Sequence, residues 1–470
     1  MAWNVVIVGG GFGGLAAARV LERSARSGGV KTTLVSDRNF LLYTPFLPEA
    51  AAGTLEPRHV VTPLRELLRH TELQLGSLTS LDQEARRVTL RNPEGDALEL
   101  RYDRLVLAPG SVARTLPVPG LAEHGVAFKS LADAIWLRNH VIRSLELAET
   151  TRDRTKLEEI LTFVFVGGGY AGLEALAELQ DFAADAARMY PAARAHGMRW
   201  ILAEAGPRVM LEIDEQLASY AQRQLTRRGI DIRVAATLTE VGPRHATLSS
   251  GEHIPTRTVV WTAGVTPSPI VAELGLPLDE RGRIEVDEQL RVQGTDDVWA
   301  LGDAAAVPHP ADTGRVCPPT AQHATRQGRV AGHNVAASLG RGRPRAFRYV
   351  GRGSFVNLGR YKAVAMIGRR TLRGPFAWWL ARTYHMSQIP GLRRKLRAVL
   401  DWTVSVPFAR DVSEVGSIGQ PVRLGTASAR VVGVERTEVD DHRPLGDQER
   451  RDVAAPDGSL EHAGPQVDAG

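Results

Sequence analysis

Two copies of one local pattern, an apolar strand running into a glycine-rich turn and then a helix, predict an α/β fold with two Rossmann-like dinucleotide-binding domains. The first copy is Asn4-Val5-Val6-Ile7-Val8, then Gly9, Gly10, Gly11, Phe12, Gly13 and Gly14, then the strong helix former Leu15-Ala16-Ala17-Ala18. The second is Thr162-Phe163-Val164-Phe165-Val166, then Gly167, Gly169, Tyr170 and Gly172, then Leu173-Glu174-Ala175-Leu176-Ala177. A third observation sets the connectivity. Strand-like runs at 102–110 and 258–264, ending in Gly110 and Gly264, return the chain to each unit. The second domain (126–262) is therefore expected to sit inside a discontinuous first one (1–125 and 263–345). Residues 346–410 then form a C-terminal region and 411–470 a tail.

Glycine alone is a weak signal, being 46 of 470 residues; the strand before and the helix after give the pattern its meaning. In such a cradle the first glycine makes the tight turn and the second lets the backbone approach a pyrophosphate. The third allows the helix to close on the strand, and the helix N-terminus supplies partial positive charge. Each cradle also expects an acid at the end of its next strand. Trp200-Ile201-Leu202-Ala203-Glu204 meets this late, after an alanine-rich helix expected over 182–199. Glu204 can accept both ribose hydroxyls of NADH and would repel a 2′-phosphate, although Arg208 lies close enough to oppose that preference. In the first domain Thr32-Thr33-Leu34-Val35 ends in Ser36-Asp37, so either Ser36 or Asp37 is the ribose partner.

Composition narrows the chemistry. A chain of 470 residues with 43% hydrophobic and 24% charged residues is globular, with length for two or three domains. No apolar run approaches the roughly 18–20 residues that span a bilayer. Residues 1–8 read as the first strand, so a cleaved leader is not expected. The single cysteine, Cys317, excludes an intrachain disulfide and a redox dithiol, and suits a reducing compartment. Beside Pro318-Pro319 it reads as a small apolar filler. The 13 histidines are scattered and no metal site is expected.

The net charge of +5 conceals strong segregation. Residues 313–400 carry 18 Lys or Arg and no Asp or Glu, whereas 411–470 carry 6 basic and 12 acidic residues. Within the basic stretch, Pro375 opens a helix bearing Phe376, Trp378, Trp379, Leu380 and Tyr384, and Pro390-Gly391 breaks it. Leu392, Leu396, Val399, Leu400 and Thr403 then recur at helical spacing, with Arg393, Arg394, Lys395 and Arg397 opposite and Trp402 near the end. Basic and aromatic residues mixed in this way mark interfacial helices, and each basic group near an anionic surface contributes about 1 kcal/mol. Residues 376–405 are accordingly expected to meet an anionic membrane surface; a solvated basic face paired with the acidic tail is the plainer alternative. No nucleic-acid module accompanies the charge, and none is expected as a partner. The final stretch of about 45 residues is rich in Gly, Pro, Asp and Arg without periodicity and is expected to be disordered.

Further motifs resemble the type II NADH dehydrogenases, single-chain FAD enzymes that pass electrons from NADH to a quinone. The resemblance covers about residues 3–405. Arg38-Asn39-Phe40-Leu41-Leu42-Tyr43-Thr44-Pro45 is similar to the family's segment after the second strand. Val298-Trp299-Ala300-Leu301-Gly302-Asp303 resembles the flavin-binding strand whose aspartate bonds the ribitol chain, and Pro318-Pro319-Thr320-Ala321-Gln322 the stretch beside the flavin ring. The resemblance implies FAD on the first cradle, NADH on the second, and a quinone reaching the flavin near Ala321 and Gln322. It also implies Glu174 near the nicotinamide, Leu78 contacting adenine through its backbone, and peripheral attachment to the cytoplasmic side of the cell membrane. Gln322 and Glu174 are the candidate catalytic side chains, though glutamate in a first helical turn also stabilises the helix dipole. Where many members read Ala-Gln-x-Ala-x-Gln, this chain has Ala321-Gln322-His323-Ala324-Thr325-Arg326, and a cation there could favour a more polar acceptor or bind acidic headgroups. A soluble reductase with a protein or polar acceptor, or an NADH-sensing flavoprotein, are the alternatives. The sequence leaves the oligomeric state open, a homodimer included.

Overall fold

The strand Trp3–Val8 lies at the centre of a parallel sheet ordered Val298–Ala300, Arg104–Leu107, Trp3–Val8, Val30–Ser36 and Thr71–Leu75. Its residues Val5, Val6, Ile7 and Val8 are all buried, as a strand covered on both faces by helices demands. A second five-stranded parallel sheet runs Gly125–Ala127, Thr258–Trp261, Thr162–Val166, Arg199–Glu204 and Ile230–Val234. The computed structural model describes residues 2–414, except 27, 313, 350, 352, 369, 406, 407 and 409. The disorder expected for the tail concerns residues that, beyond 414, lie outside the described ones.

In each sheet a helix leaves the C-terminal end of the central strand. Phe12–Arg26 follows Trp3–Val8, and Tyr170–Ala186 follows Thr162–Val166. The first of these packs along Ala321–Ser338, with backbones so close that a Cβ at Gly328 would lie 2.0 Å from Gly13 O. Antiparallel three-stranded meanders flank each lobe, at Ser77–Asp82, Arg87–Arg91 and Ala97–Arg101 and again at Leu238–Gly242, His245–Leu248 and His253–Pro255.

Two local expectations are corrected. The helix expected over 182–199 is broken: Tyr170–Ala186 ends, a 3-10 turn covers Ala187–Met189, and a short helix Pro191–His196 follows. Pro191 has no N–H to continue the first helix and instead starts the next one. The C-terminal region is also more than two helices. It begins with a three-stranded antiparallel sheet, Gly353–Asn357, Ala363–Ile367 and Arg370–Arg373, before Gly374–Gln388 and Leu392–Ser405.

Those helices divide their side chains differently from the simple two-face pattern. Phe376, Trp379, Leu392, Leu396, Leu400 and Val404 are exposed, but Trp378 is buried. Arg394 turns inward to Glu66 at 3.2 Å and Lys395 donates to Ser387 O at 2.5 Å, leaving Arg393 and Arg397 outward. No described helix is long and apolar enough to cross a membrane.

Candidate active site

Both cradles open onto one cleft of about 2030 Å³. In the first, Gly9 adopts φ +107° and a Cβ there would stand 2.0 Å from Ala108 O, while one on Gly14 would stand 1.9 Å from Gly9 O. A Cβ on Gly11 meets nothing within 4 Å, because that backbone faces the cleft. This division of labour is what pyrophosphate binding requires: two glycines for packing, one for ligand approach. The second cradle repeats it, with Gly167 against Thr262, Gly172 against Gly167 O, and Gly169 facing the cleft. The cradles thus fit two dinucleotides.

Glu204 closes the second cradle. Its Oε2 accepts Gly168 N–H at 2.5 Å and its Oε1 accepts Gly206 N–H at 2.6 Å, so the carboxylate is fixed at the cleft wall. Arg208 is not its competitor. Its guanidinium donates to the carbonyls of Met210 at 2.7 Å, Ile213 at 3.0 Å and Val209 at 3.2 Å, tying down the loop.

Of the remaining candidates, Phe12, Gly13, Gly110, Tyr170, Glu174, Gly264, Gly302, Asp303, Ala321 and Gln322 line the same cleft. The others lie outside that lining. Gly10 packs against the buried Ser36, whose Oγ accepts Arg38 N–H at 3.3 Å. Asp37 is exposed and pairs with Arg38 at 3.4 Å. Leu78 is buried with its side chain in the core of the first lobe.

The turn Gly302–Ala304 presents Asp303 to the cleft, and Gln327 holds it there by accepting Gly302 N–H at 2.9 Å. Five positions earlier, Gln322 is oriented by Tyr349, whose hydroxyl donates to Gln322 Oε1 at 2.8 Å. Arg326 lies with Cζ 4.0 Å from the Tyr349 ring centroid and donates to Gln322 O at 3.0 Å, so it braces Gln322. Burial pushes the His323 imidazole down to about 4, and His385 in the aromatic group around Tyr43 likewise to about 4. Both rings are neutral at pH 7.

Glu174 belongs to a stripe that the sequence reading passed over. Glu174, Glu178, Asp181 and Asp185 recur at helical spacing on one face of Tyr170–Ala186. Glu174 Oε1 accepts Asn357 N–H at 2.8 Å, and the Asn357 side chain donates to Glu49 Oε1 at 2.6 Å. Arg382, buried between Trp378 and Trp402, approaches Glu49 at 4.0 Å. Arg410 reaches Asp181 at 3.1 Å and Glu178 at 3.7 Å. Burial, then the Glu49 and Glu178 carboxylates, raises the Glu174 carboxyl well above the ordinary range, against the Asn357 N–H. The helical spacing of these acids was visible in the sequence; their partners were not.

Two parallel-sheet lobes whose glycine cradles face one cleft define a two-nucleotide oxidoreductase. The family model for pyridine nucleotide-disulphide oxidoreductases matches residues 3–328. A probable NADH dehydrogenase of Dictyostelium discoideum is 30% identical over 81% of this chain and 85% of its own. The type II NADH:quinone oxidoreductase NdhA of Mycobacterium tuberculosis is 30% identical over 86% of this chain and 87% of its own. Among solved structures, NDH2 of Plasmodium falciparum in complex with NADH superposes with a TM-score of 0.80 at 17% identity, covering 88% of this chain and 100% of that one. The chain belongs to the pyridine nucleotide-disulphide oxidoreductase family and, within it, to the type II NADH:quinone oxidoreductases. Cys317 is buried and free.

Proposed function

We propose that this chain oxidises NADH and reduces a membrane quinone through FAD, without moving protons across the membrane. The observation that carries the reading is the single cleft shared by two cradles, one of them closed by Glu204. FAD on the first cradle would supply the electron relay, taking a hydride from NADH and passing two electrons to quinone. Everything else falls to the protein. The N–H groups at the starts of Phe12–Arg26 and Tyr170–Ala186 hold the two pyrophosphates. Each Glu204 oxygen keeps a second lone pair beyond its backbone donor and accepts a ribose hydroxyl of NADH. Ser36 rather than Asp37 supports the first cradle, because it is the side chain packed beneath Gly10. Asp303, which lines the cleft, would accept from the flavin's ribitol chain.

At the acceptor end, Tyr349 occupies Gln322 Oε1, which leaves the Gln322 amide N–H groups to donate to a quinone carbonyl oxygen. Burial raises the proton affinity of Glu174 well above that of an ordinary carboxylate, and the group stands beside the cleft. The exposed Phe376, Trp379, Leu392, Leu396 and Leu400, with Arg393 and Arg397 among them, form the surface that meets the cytoplasmic face of an anionic membrane. Arg326 is held by Tyr349 and the Gln322 carbonyl, which supports an ordinary quinone over a polar acceptor.

The test is anaerobic. One equivalent of NADH is expected to bleach the bound flavin, and a short-chain quinone to restore its colour within milliseconds to seconds. Flavin that stays reduced with quinone present would refute the reading in favour of a protein acceptor or a sensor.

A further inference from the structure

A lysine that neither cradle requires stands in the same cleft. Lys129 lines the cleft beside Gly110, Ser111 and Asp303, at the point where the chain passes into the long helix Leu131–Thr150. Its Nζ donates to Ser111 Oγ at 2.6 Å, and the Ser111 hydroxyl donates on to Asp303 Oδ2 at 2.5 Å. The backbone is equally constrained: Asp133 Oδ2 accepts the N–H groups of Lys129 and Ser130, each at 2.8 Å, completing the capping box of that helix. Among the described residues no ion pair within 4.0 Å joins the ammonium to a carboxylate, so its link to Asp303 runs through the Ser111 hydroxyl.

A half-buried cation without a direct counter-ion is costly unless something in the site repays it. Burial lowers the proton affinity of Lys129, and the Asp303 carboxylate partly opposes that fall. Asp303 is also the residue read as contacting the flavin chain. The three groups come from three distant segments, at 111, 129 and 303, and converge on one wall.

We propose that Lys129 is a positioning and charge-setting residue: through Ser111 it holds Asp303 in place, and its ammonium raises the electron affinity of the bound flavin. The proposal rests on the first cradle binding FAD. A flavin becomes more negative when it takes up electrons, so a fixed cation favours the reduced form. The low local dielectric of the cleft strengthens that preference.

The measurement is a reductive titration of the full-length, FAD-loaded protein against a reference dye, with neither NADH nor quinone present. It is therefore independent of donor and acceptor assignments. Lys129→Gln keeps a donor for Ser111 but removes the charge. It is expected to shift the reduction equilibrium at least tenfold toward oxidised flavin, about 30 mV downward for a two-electron couple, while retaining FAD. Lys129→Arg keeps the charge and is expected to restore the wild-type midpoint. A Lys129→Gln midpoint within a factor of two of wild type would overturn the proposal. So would equal shifts in both variants, which would mean geometry and not charge. Loss of FAD from Lys129→Gln, with Lys129→Arg unchanged, would make Lys129 a cofactor-retaining contact and overturn the tuning role.

Discussion

Glu204→Ala tests the proposed nucleotide site most directly, because the carboxylate stands at the cleft wall with both of its backbone donors defined. Its oxygens accept Gly168 N–H at 2.5 Å and Gly206 N–H at 2.6 Å. In the variant, NADH loses at least one charge-assisted hydrogen bond to its ribose, about 1.5–3 kcal/mol. NADPH gains relief from repulsion: two like charges about 5 Å apart at an effective dielectric of 20 oppose each other by about 3 kcal/mol. The backbone N–H groups of Gly168 and Gly206 lose their acceptor as well. Together these effects reach about 4–6 kcal/mol, roughly a thousandfold or more in the ratio of kcat/KM for NADH over NADPH. Glu204 borders an open cleft, so solvent screens part of this, and a fall of at least tenfold is the expected outcome. Steady-state rates with both nucleotides and one quinone give the ratio. A change smaller than threefold would refute the assignment of Glu204 to ribose recognition.

Three further outcomes follow from the carboxylate stripe and the exposed face. Burial, only partly countered by Arg382, pushes the Glu49 carboxyl up to about 8 from an ordinary 4.5. The folded state therefore prefers the protonated acid, and the contribution is complete below pH 4.5 and lost as pH rises through 8. The thermal midpoint should fall between pH 5 and pH 8 by more than in Glu49→Gln; equal slopes would exclude Glu49 as the source. Arg410 is 3% exposed and faces Asp181 at 3.1 Å and Asp185 at 3.4 Å. Arg410→Met leaves Asp181 its Lys362 partner but removes the cation 3.7 Å from the fully buried Glu178; it should cost about 3–5 kcal/mol, read as a midpoint lowered by several degrees, whereas a drop under 1 °C would show the ion pairs to be dispensable. Phe376, Trp379 and Leu396 are 59%, 49% and 58% exposed. Replacing all three with serine removes about 1.5–3 kcal/mol of burial apiece from a membrane-bound state. Co-sedimentation with anionic phosphatidylglycerol vesicles should then weaken at least a hundredfold with the melting curve unchanged; retained binding would rule this face out.

Legibility in the sequence followed range. The cradles could be read because strand, turn and helix are adjacent, and Glu204 because it ends a strand that pairs directly with the first strand of its cradle. Relations across long separations could not. Gln327 bonding Gly302, Tyr349 orienting Gln322 and Lys129 reaching Asp303 through Ser111 join residues whose spacing obeys no helical or strand period. Arg208 was legible as a charge but not as a loop tie, since its carbonyl partners at Val209, Met210 and Ile213 carry no side-chain signature. In the amphipathic C-terminal stretch, periodicity located the two helices. It missed the inward turn of Trp378, Arg394 and Lys395, which tertiary partners decide.

The acid-free run from 313 to 400 finds part of its cause in the same contacts. Lys362 meets Asp181 at 2.7 Å, and Arg410 just beyond the run reaches the same carboxylate at 3.1 Å, so these cations are balanced by an acid far away in sequence. An acid inside the run near these sites would add repulsion to a helix face already crowded with Glu174, Glu178, Asp181 and Asp185. The helix Gly374–Gln388 therefore has two tasks on opposite faces. One face buries Arg382 toward Glu49, whose partner Asn357 fixes Glu174 at the cleft; the other exposes Phe376 and Trp379. Deleting residues 376–405 would remove both at once, and lost membrane binding in such a protein would say nothing about the surface. Only substitutions confined to the exposed face separate attachment from the integrity of the site, because the buried face and the cleft share one network of charges.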